Sequence, residues 1–192
     1  MNLGDLPYAS SVPDEVSRGF SQAEQLYSPA RMSQAIDRMA IGITVALQDQ
    51  NPVLLSLLPG GLFLTGQLMA RLVMPMQIGY LDIGGSAESQ HEPQASWRNS
   101  SHPELRGRNV LLVGDVLNCA STLQALRDWL LTQEVASSHY AVMVEQPAAD
   151  SSNRSAVADF VGVEAPNRRI FGCGTDFRGY GRNLPALYAI AR

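Results

Sequence analysis

The sequence predicts an α/β fold built on an open, mostly parallel sheet flanked by helices, on three observations. Short apolar runs suited to buried strands alternate with segments whose apolar residues recur at helical spacing. Gly- and Pro-bearing turns punctuate these runs, as at Pro59-Gly60-Gly61. Two stretches without periodicity, Gly84 to Gly107 and Pro147 to Ala156, fall between elements rather than inside them. No internal repeat competes with this reading.

Residues 1–25 read as a loose N-terminal arm, with Pro, Ser and Gly frequent in its first twenty positions. Ser28-Pro29 then supplies an N-cap and a first helical residue. Met32, Ala35, Ile36, Met39 and Ile43 follow on one face of a helix that ends near Gln50, before the breaker Asn51-Pro52. Val53 to Leu58 is a short apolar run, as expected of a parallel strand buried on both faces. Leu62 to Val73 reads as a helix and Met76 to Ile83 as a strand. Val110 to Val113 is a third strand, followed by a helix from Ser121 to about Gln133 with Leu123, Leu126 and Leu130 on one face. Tyr140 to Val144, Phe160 to Val163, Arg169 to Phe171 and Leu187 to Ile190 complete the strands.

Composition narrows the function. A chain of 192 residues suits one domain with at most a small appendage. No apolar run approaches the ~20 residues of a membrane span, and MNLGDLPYASSVPDE lacks the pattern of a signal peptide. Two cysteines, Cys119 and Cys173, are too few for a disulfide framework, so a cytoplasmic setting is expected. A net charge of −4 argues against nucleic acid as a partner. All 14 basic residues are arginines, which excludes lysine chemistry yet supplies planar forks suited to phosphate.

In open α/β sheets ligands sit beyond the carboxyl ends of the strands, and three turns should emerge there. Asp115 to Thr122 leads from strand to helix, where backbone amides and the helix dipole stabilise an anion. Asp115 could accept hydrogen bonds from a sugar diol; equally, the segment could be an ordinary loop with Ser121 as N-cap. Leu58-Pro59-Gly60 allows either a cis X-Pro bond that aims amides at a ligand or a plain trans turn. In FGCGTDFRGYGRNLP, Asp176 could hold hydrated Mg²⁺ and Arg182 could grip pyrophosphate, or the two could form a surface pair. Gly84 to Gly107 exceeds the ~15 residues usual for loops in compact domains and reads as a lid or binding loop. His91, His102 and His139 are too scattered for a catalytic pair. Cys119 has no obvious base beside it, Trp97 reads as core shielding, and Met69, Met74 and Met76 as core packing or a subunit contact.

Together these turns resemble a type I phosphoribosyltransferase of the hypoxanthine–guanine branch. The resemblance runs over residues 26–192, through VLLSLLPGGLFLTGQL, YLDI, RGRNVLLVGDVLNCASTLQAL and ADFVGVEAPNRRIFGCGTDFRGYGRNLP in that order. It implies a small hood built from both chain ends and a mobile lid over 84–107. It also implies transfer of ribose 5-phosphate from phosphoribosyl pyrophosphate to a purine, with Mg²⁺, in purine salvage. Asn118, Cys119, Ala120, Ser121 and Thr122 would cradle the 5-phosphate, and Asp115 would hold the ribose hydroxyls. Leu58, Pro59 and Gly60 would form the pyrophosphate turn with Arg182. Asp176 would sit by the metal and the base, and Gln146, Arg169 and Ile170 would line the purine site. A homodimer or homotetramer is implied as well.

The departures from the family pattern are equally specific. Gly114-Asp115 stands where the family has an acidic pair, and Asn118 stands where it has a general-base aspartate. Cys119 and Ala120 replace a threonine and a glycine, the latter a concern if that position needs positive φ. Gln146 replaces the lysine that grips the purine, still able to donate to a purine oxygen. Arg169 replaces the stacking aromatic, and Gly85-Ser86 the lid's Ser-Tyr pair. Impaired catalysis follows, or else a non-catalytic relative that binds a nucleotide or phosphoribosyl pyrophosphate as a sensor or partner subunit. An unrelated nucleotide-binding module is disfavoured because no Gly-rich dinucleotide fingerprint is present.

Overall fold

The structure, a computed structural model, describes residues 11–83, 100–117, 120–147 and 158–191. Its centre is a six-stranded sheet of β2 (Val53–Leu58), β3 (Gln77–Asp82), β4 (Ser100–Ser101), β5 (Asn109–Leu117), β6 (Ser137–Glu145) and β7 (Phe160–Glu164). The strand order is β4-β3-β2-β5-β6-β7. All neighbours run parallel except the edge pair β3–β4. The helices α2 (Pro29–Leu47) and α3 (Gly61–Met69) cover one face, and α4 (Ala120–Thr132) covers the other. Coverage on both faces explains why β2 is apolar at nearly every position. Its one hydroxyl, on Ser56, is satisfied by Thr65 Oγ1 at 2.9 Å.

α2 begins as expected, with Pro29 in the first turn and the Ser28 hydroxyl accepting the Arg31 N–H at 3.4 Å. Met32, Ala35, Ile36, Met39 and Ile43 are all buried against the sheet. A second, antiparallel sheet of β1 (Glu24–Tyr27), β9 (Leu187–Ala189) and β8 (Ile170–Phe171) forms the hood.

Several boundaries differ from the sequence reading. The N-terminal arm is not loose throughout: α1 (Asp14–Ser21) and β1 lie within it. Val16 is fully buried there, and β1 pairs with β9, so tertiary contacts order a segment whose local composition favours none. β5 runs four residues past Val113, because Gly114, Val116 and Leu117 continue the parallel ladder with β6. Gly and Asp are poor strand formers, and ladder pairing overrides that preference. α3 stops at Met69, ahead of Met74-Pro75. The last part of the expected lid is tied to the body: β4 pairs with β3, His102 meets Trp129 edge-on at 5.8 Å, and Leu105 is buried. Residues 84–99, with Gly85, Ser86, His91 and Trp97, lie outside the described residues.

Candidate active site

The site is built where β2 and β5 end and the hood folds over them. After β2 the Leu58–Pro59 peptide is cis, and Gly60 lies directly against Asp115. A methyl group on Gly60 would stand 2.0 Å from Asp115 Oδ2, and one on Gly61 would stand 2.2 Å from the Val113 carbonyl oxygen. Gly174 arrives from the hood with φ +105°; a methyl there would stand 2.4 Å from the Gly60 carbonyl oxygen and 3.2 Å from Asp115 Cβ. Three backbone segments therefore meet at one carboxylate, and only glycine allows the approach from either side.

Arg182 locks this junction. Its Nη1 donates to the Gly174 carbonyl at 2.7 Å and stands 3.4 Å from Asp115 Oδ2, while Nη2 pairs with Asp176 Oδ1 at 2.5 Å. The other oxygen of Asp176 accepts the Gly179 N–H at 2.6 Å. One guanidinium thus spans two carboxylates, tightly to Asp176 and loosely to Asp115. Burial pushes the Asp115 carboxyl above its ordinary pKa, outweighing the opposing pull of the Val116 amide and of Arg182. The structure brings Asp115, Asp176, Arg182 and the Leu58-Pro59-Gly60 turn together, as expected. Sequence reasoning placed Asp115 in a turn, whereas it projects from the end of a strand.

Gly114 has a structural explanation that the sequence reading missed. A methyl group at this position would lie 2.6 Å from the Tyr140 hydroxyl, so the space for a side chain is taken. Burial and the nearby Asp115 charge keep that phenol protonated, with its pKa raised. The signal was present in sequence as a large residue on one strand beside a glycine on the next, but it needs the β5–β6 register to be seen.

On the base side the side chains are otherwise engaged. Gln146 is buried, and its Nε2 donates to the carbonyls of Pro166 at 2.7 Å and Arg168 at 2.8 Å. Both amide hydrogens are therefore committed to backbone, which corrects the expectation that they donate to a purine oxygen. What the amide has left for a ligand is its carbonyl oxygen, an acceptor. The Arg169 guanidinium carbon lies 5.0 Å from the centroid of the Phe177 ring. Ile170 is buried in the main core beside Cys173 and Leu187, so its side chain serves packing rather than an open pocket.

The cradle is described only in part. Asn118 and Cys119 lie outside the described residues. Ala120 opens α4 with helical backbone, which removes the concern over positive φ there. Ser121 and Thr122 occupy the first turn, the former exposed and the latter half-buried. Among the described residues, no three His, Cys, Asp or Glu side chains gather as a metal site, and no helix is long and apolar enough to cross a membrane.

Comparison with known proteins agrees with this architecture. The model of the phosphoribosyl transferase domain family matches residues 22–176. The hypoxanthine-guanine phosphoribosyltransferase of Streptococcus pneumoniae is 25% identical over 166 residues, covering 84% of this chain and 89% of that protein. A solved hypoxanthine-guanine-xanthine phosphoribosyltransferase superposes with TM-score 0.73 at 24% identity, over 88% of this chain and 94% of its own. A hypoxanthine phosphoribosyltransferase of Staphylococcus aureus does so with TM-score 0.74 at 19% identity, over 88% and 91%. With the parallel sheet, the hood and the matched span in agreement, the chain belongs to the phosphoribosyl transferase domain family.

Proposed function

We propose that the chain is a purine phosphoribosyltransferase of the hypoxanthine–guanine type with slowed turnover. In this reading it transfers ribose 5-phosphate from phosphoribosyl pyrophosphate to the base. The observation that carries this reading is the Asp115–Arg182–Asp176 junction at the carboxyl edge of the sheet, on the strand that leads to α4.

Asp115, once ionised, accepts hydrogen bonds from the two ribose hydroxyls. Arg182 meets pyrophosphate by giving up its loose 3.4 Å contact with Asp115, while its bond to the Gly174 carbonyl and its pair with Asp176 hold the fork in place. The amides around Asn118 to Thr122, with the Ser121 and Thr122 hydroxyls, hold the 5-phosphate. The purine lies against the exposed Arg169 guanidinium, with Ile170 supporting that wall from the core behind it and Gln146 meeting the base only through its carbonyl oxygen. Asp176 and Asp115 are hard oxygen donors already shared with Arg182. Asp176 is the residue that would hold a Mg²⁺ ion, which keeps most of its hydration shell, and such an ion would supply positive charge against that of pyrophosphate.

A positioned general base contributes about 10²–10⁴-fold, and Asn118 cannot accept a proton, so turnover is reduced by that order. A second reading, a non-catalytic nucleotide binder, is favoured by the Tyr140 hydroxyl filling the place of a side chain at Gly114. A cytoplasmic homodimer or homotetramer suits either reading; exposed Ile41, Val45 and Val73 offer apolar surface for assembly.

The deciding experiment supplies hypoxanthine or guanine, phosphoribosyl pyrophosphate and Mg²⁺. Nucleotide should form slowly and Asp176→Ala should abolish it. No product above background at high enzyme concentration retires transfer in favour of binding. Calorimetry should then detect a purine nucleotide, weakened by Thr122→Ala; no heat with any such ligand removes the binder as well.

A further inference from the structure

Helix α1 precedes the span that matches the family, and it packs against Phe171 near the end of that span and against residues that follow it. Val16 is fully buried among Phe171, Phe177 and Leu184. The Phe20 ring stacks on Phe171 with centroids 4.6 Å apart and planes 7° from parallel. Gly19 approaches Phe177 so closely that a methyl would stand 2.5 Å from the ring. A methyl on Gly181 would stand 3.3 Å from Phe20 Cζ, and Glu15 Oε1 pairs with Arg178 Nη2 at 2.5 Å. Successive turns of one short helix thus touch residues 177, 178 and 181, the stretch that links Asp176 to Arg182.

That stretch has little local preference for its shape. Arg178, Gly179 and Gly181 all have positive φ, at 52°, 83° and 91°. Its internal ties are the reciprocal Phe177–Tyr180 hydrogen bonds and the Gly179 N–H to Asp176. A segment with so many accessible conformations holds one only when neighbours fix it. The Gly174 N–H fixes its far end through the Arg182 carbonyl, and the Leu184 N–H donates to the Gly181 carbonyl; α1 is the neighbour along residues 177, 178 and 181. Thr122, on α4, belongs to the far side of the site, where α4 packs on the opposite face of the sheet.

We propose that α1 is a brace that positions the Asp176–Arg182 pair, setting affinity for a pyrophosphate-bearing ligand without setting affinity for a nucleoside monophosphate at the cradle. This assignment of ligands rests on the function proposed above. The exposed Glu15–Arg178 pair contributes little by itself; the Phe20 and Val16 contacts carry the brace.

The test compares full-length wild type with Phe20→Ala, titrating Mg²⁺-pyrophosphate and inosine 5′-monophosphate separately by calorimetry. Hydrogen exchange at the amides of residues 177–182 is followed in parallel. The brace predicts at least tenfold weaker pyrophosphate binding, inosine monophosphate binding within twofold, and about tenfold faster exchange confined to 177–182. Equal weakening of both ligands, or of neither, overturns it. If wild type binds neither probe, the nucleotide reading fails, and exchange alone then decides: unchanged protection at 177–182 overturns the brace. Should Phe20→Ala not fold, Val16→Ala is the milder variant. It should weaken pyrophosphate about threefold with inosine monophosphate unaltered; no change in either binding or exchange would again sink the proposal.

Discussion

The carboxyl edge of the sheet has two halves that treat polar side chains in opposite ways. Around β2 and β5, Asp115, Asp176 and Arg182 face one another across a gap that backbone glycines hold narrow, and one of the pairings is long, 3.4 Å. Around β6 and β8, Gln146 donates both hydrogens to its own backbone turn, and Arg169 lies over Phe177. The first half keeps charge that a ligand can recruit. The second commits its polar groups to the fold, Gln146 from a buried position and Arg169 from an exposed one. The difference shows why residue identity alone is a poor guide to a binding role: what counts is whether a polar side chain is paired with another charge that a ligand can replace or with backbone that the fold needs.

The most severe way to break the first half is to widen its narrowest point. Gly174→Ala should cost about 2–4 kcal/mol, from positive φ and from collision with the Gly60 carbonyl. It should also weaken nucleotide binding by about tenfold, near 1.4 kcal/mol, because the Gly60 turn and Asp115 are displaced together. Urea unfolding and calorimetry read the two separately; near-normal values for both would show that the junction is not tightly fitted.

Asp115 sharpens the comparison through pH. Its raised pKa means that the folded protein keeps this proton to higher pH than the unfolded chain does. Stability therefore falls as pH rises from the ordinary carboxylate range through the folded-state value, and is level above it. Asp115→Asn removes that loss, so the variant should be the more stable protein at neutral pH and comparable in acid. Ligand affinity should move the other way: wild-type binding strengthens as Asp115 ionises, and the asparagine variant binds weakly at every pH. Unfolding and binding measured from about pH 4 to 8 check both signs; a wild type no less stable than Asp115→Asn at neutral pH would contradict a partly buried, destabilised carboxylate.

The smallest effect is expected from the second half. Gln146→Lys removes two hydrogen bonds to the Pro166 and Arg168 carbonyls and should cost about 1–3 kcal/mol. It replaces an available acceptor with a charged donor, so the affinity ratio of inosine to adenosine monophosphate should rise about fivefold, near 1 kcal/mol. An unchanged ratio would mean that Gln146 supports the turn and meets no base.

The order of strands and helices, the capped start of α2 and the apolar β2 were all legible in the sequence, because periodicity and capping are local properties of the chain. So was the set of charged residues at the mouth, Asp115, Asp176 and Arg182. The sequence did not disclose that α1 is ordered, that β5 carries Asp115 to its end, that Tyr140 fills the place beside Gly114, or that Gln146 is tied to Pro166 and Arg168. Each of these depends on a partner distant along the chain: α1 on residues 171–188, β5 and Gly114 on β6, Gln146 on the turn after β7. Local sequence sets what a segment can form and which groups it carries. Only the packed structure decides which of those groups meet each other and which are left for a ligand, because burial and partner distance, not residue type, determine the free energy of a polar side chain.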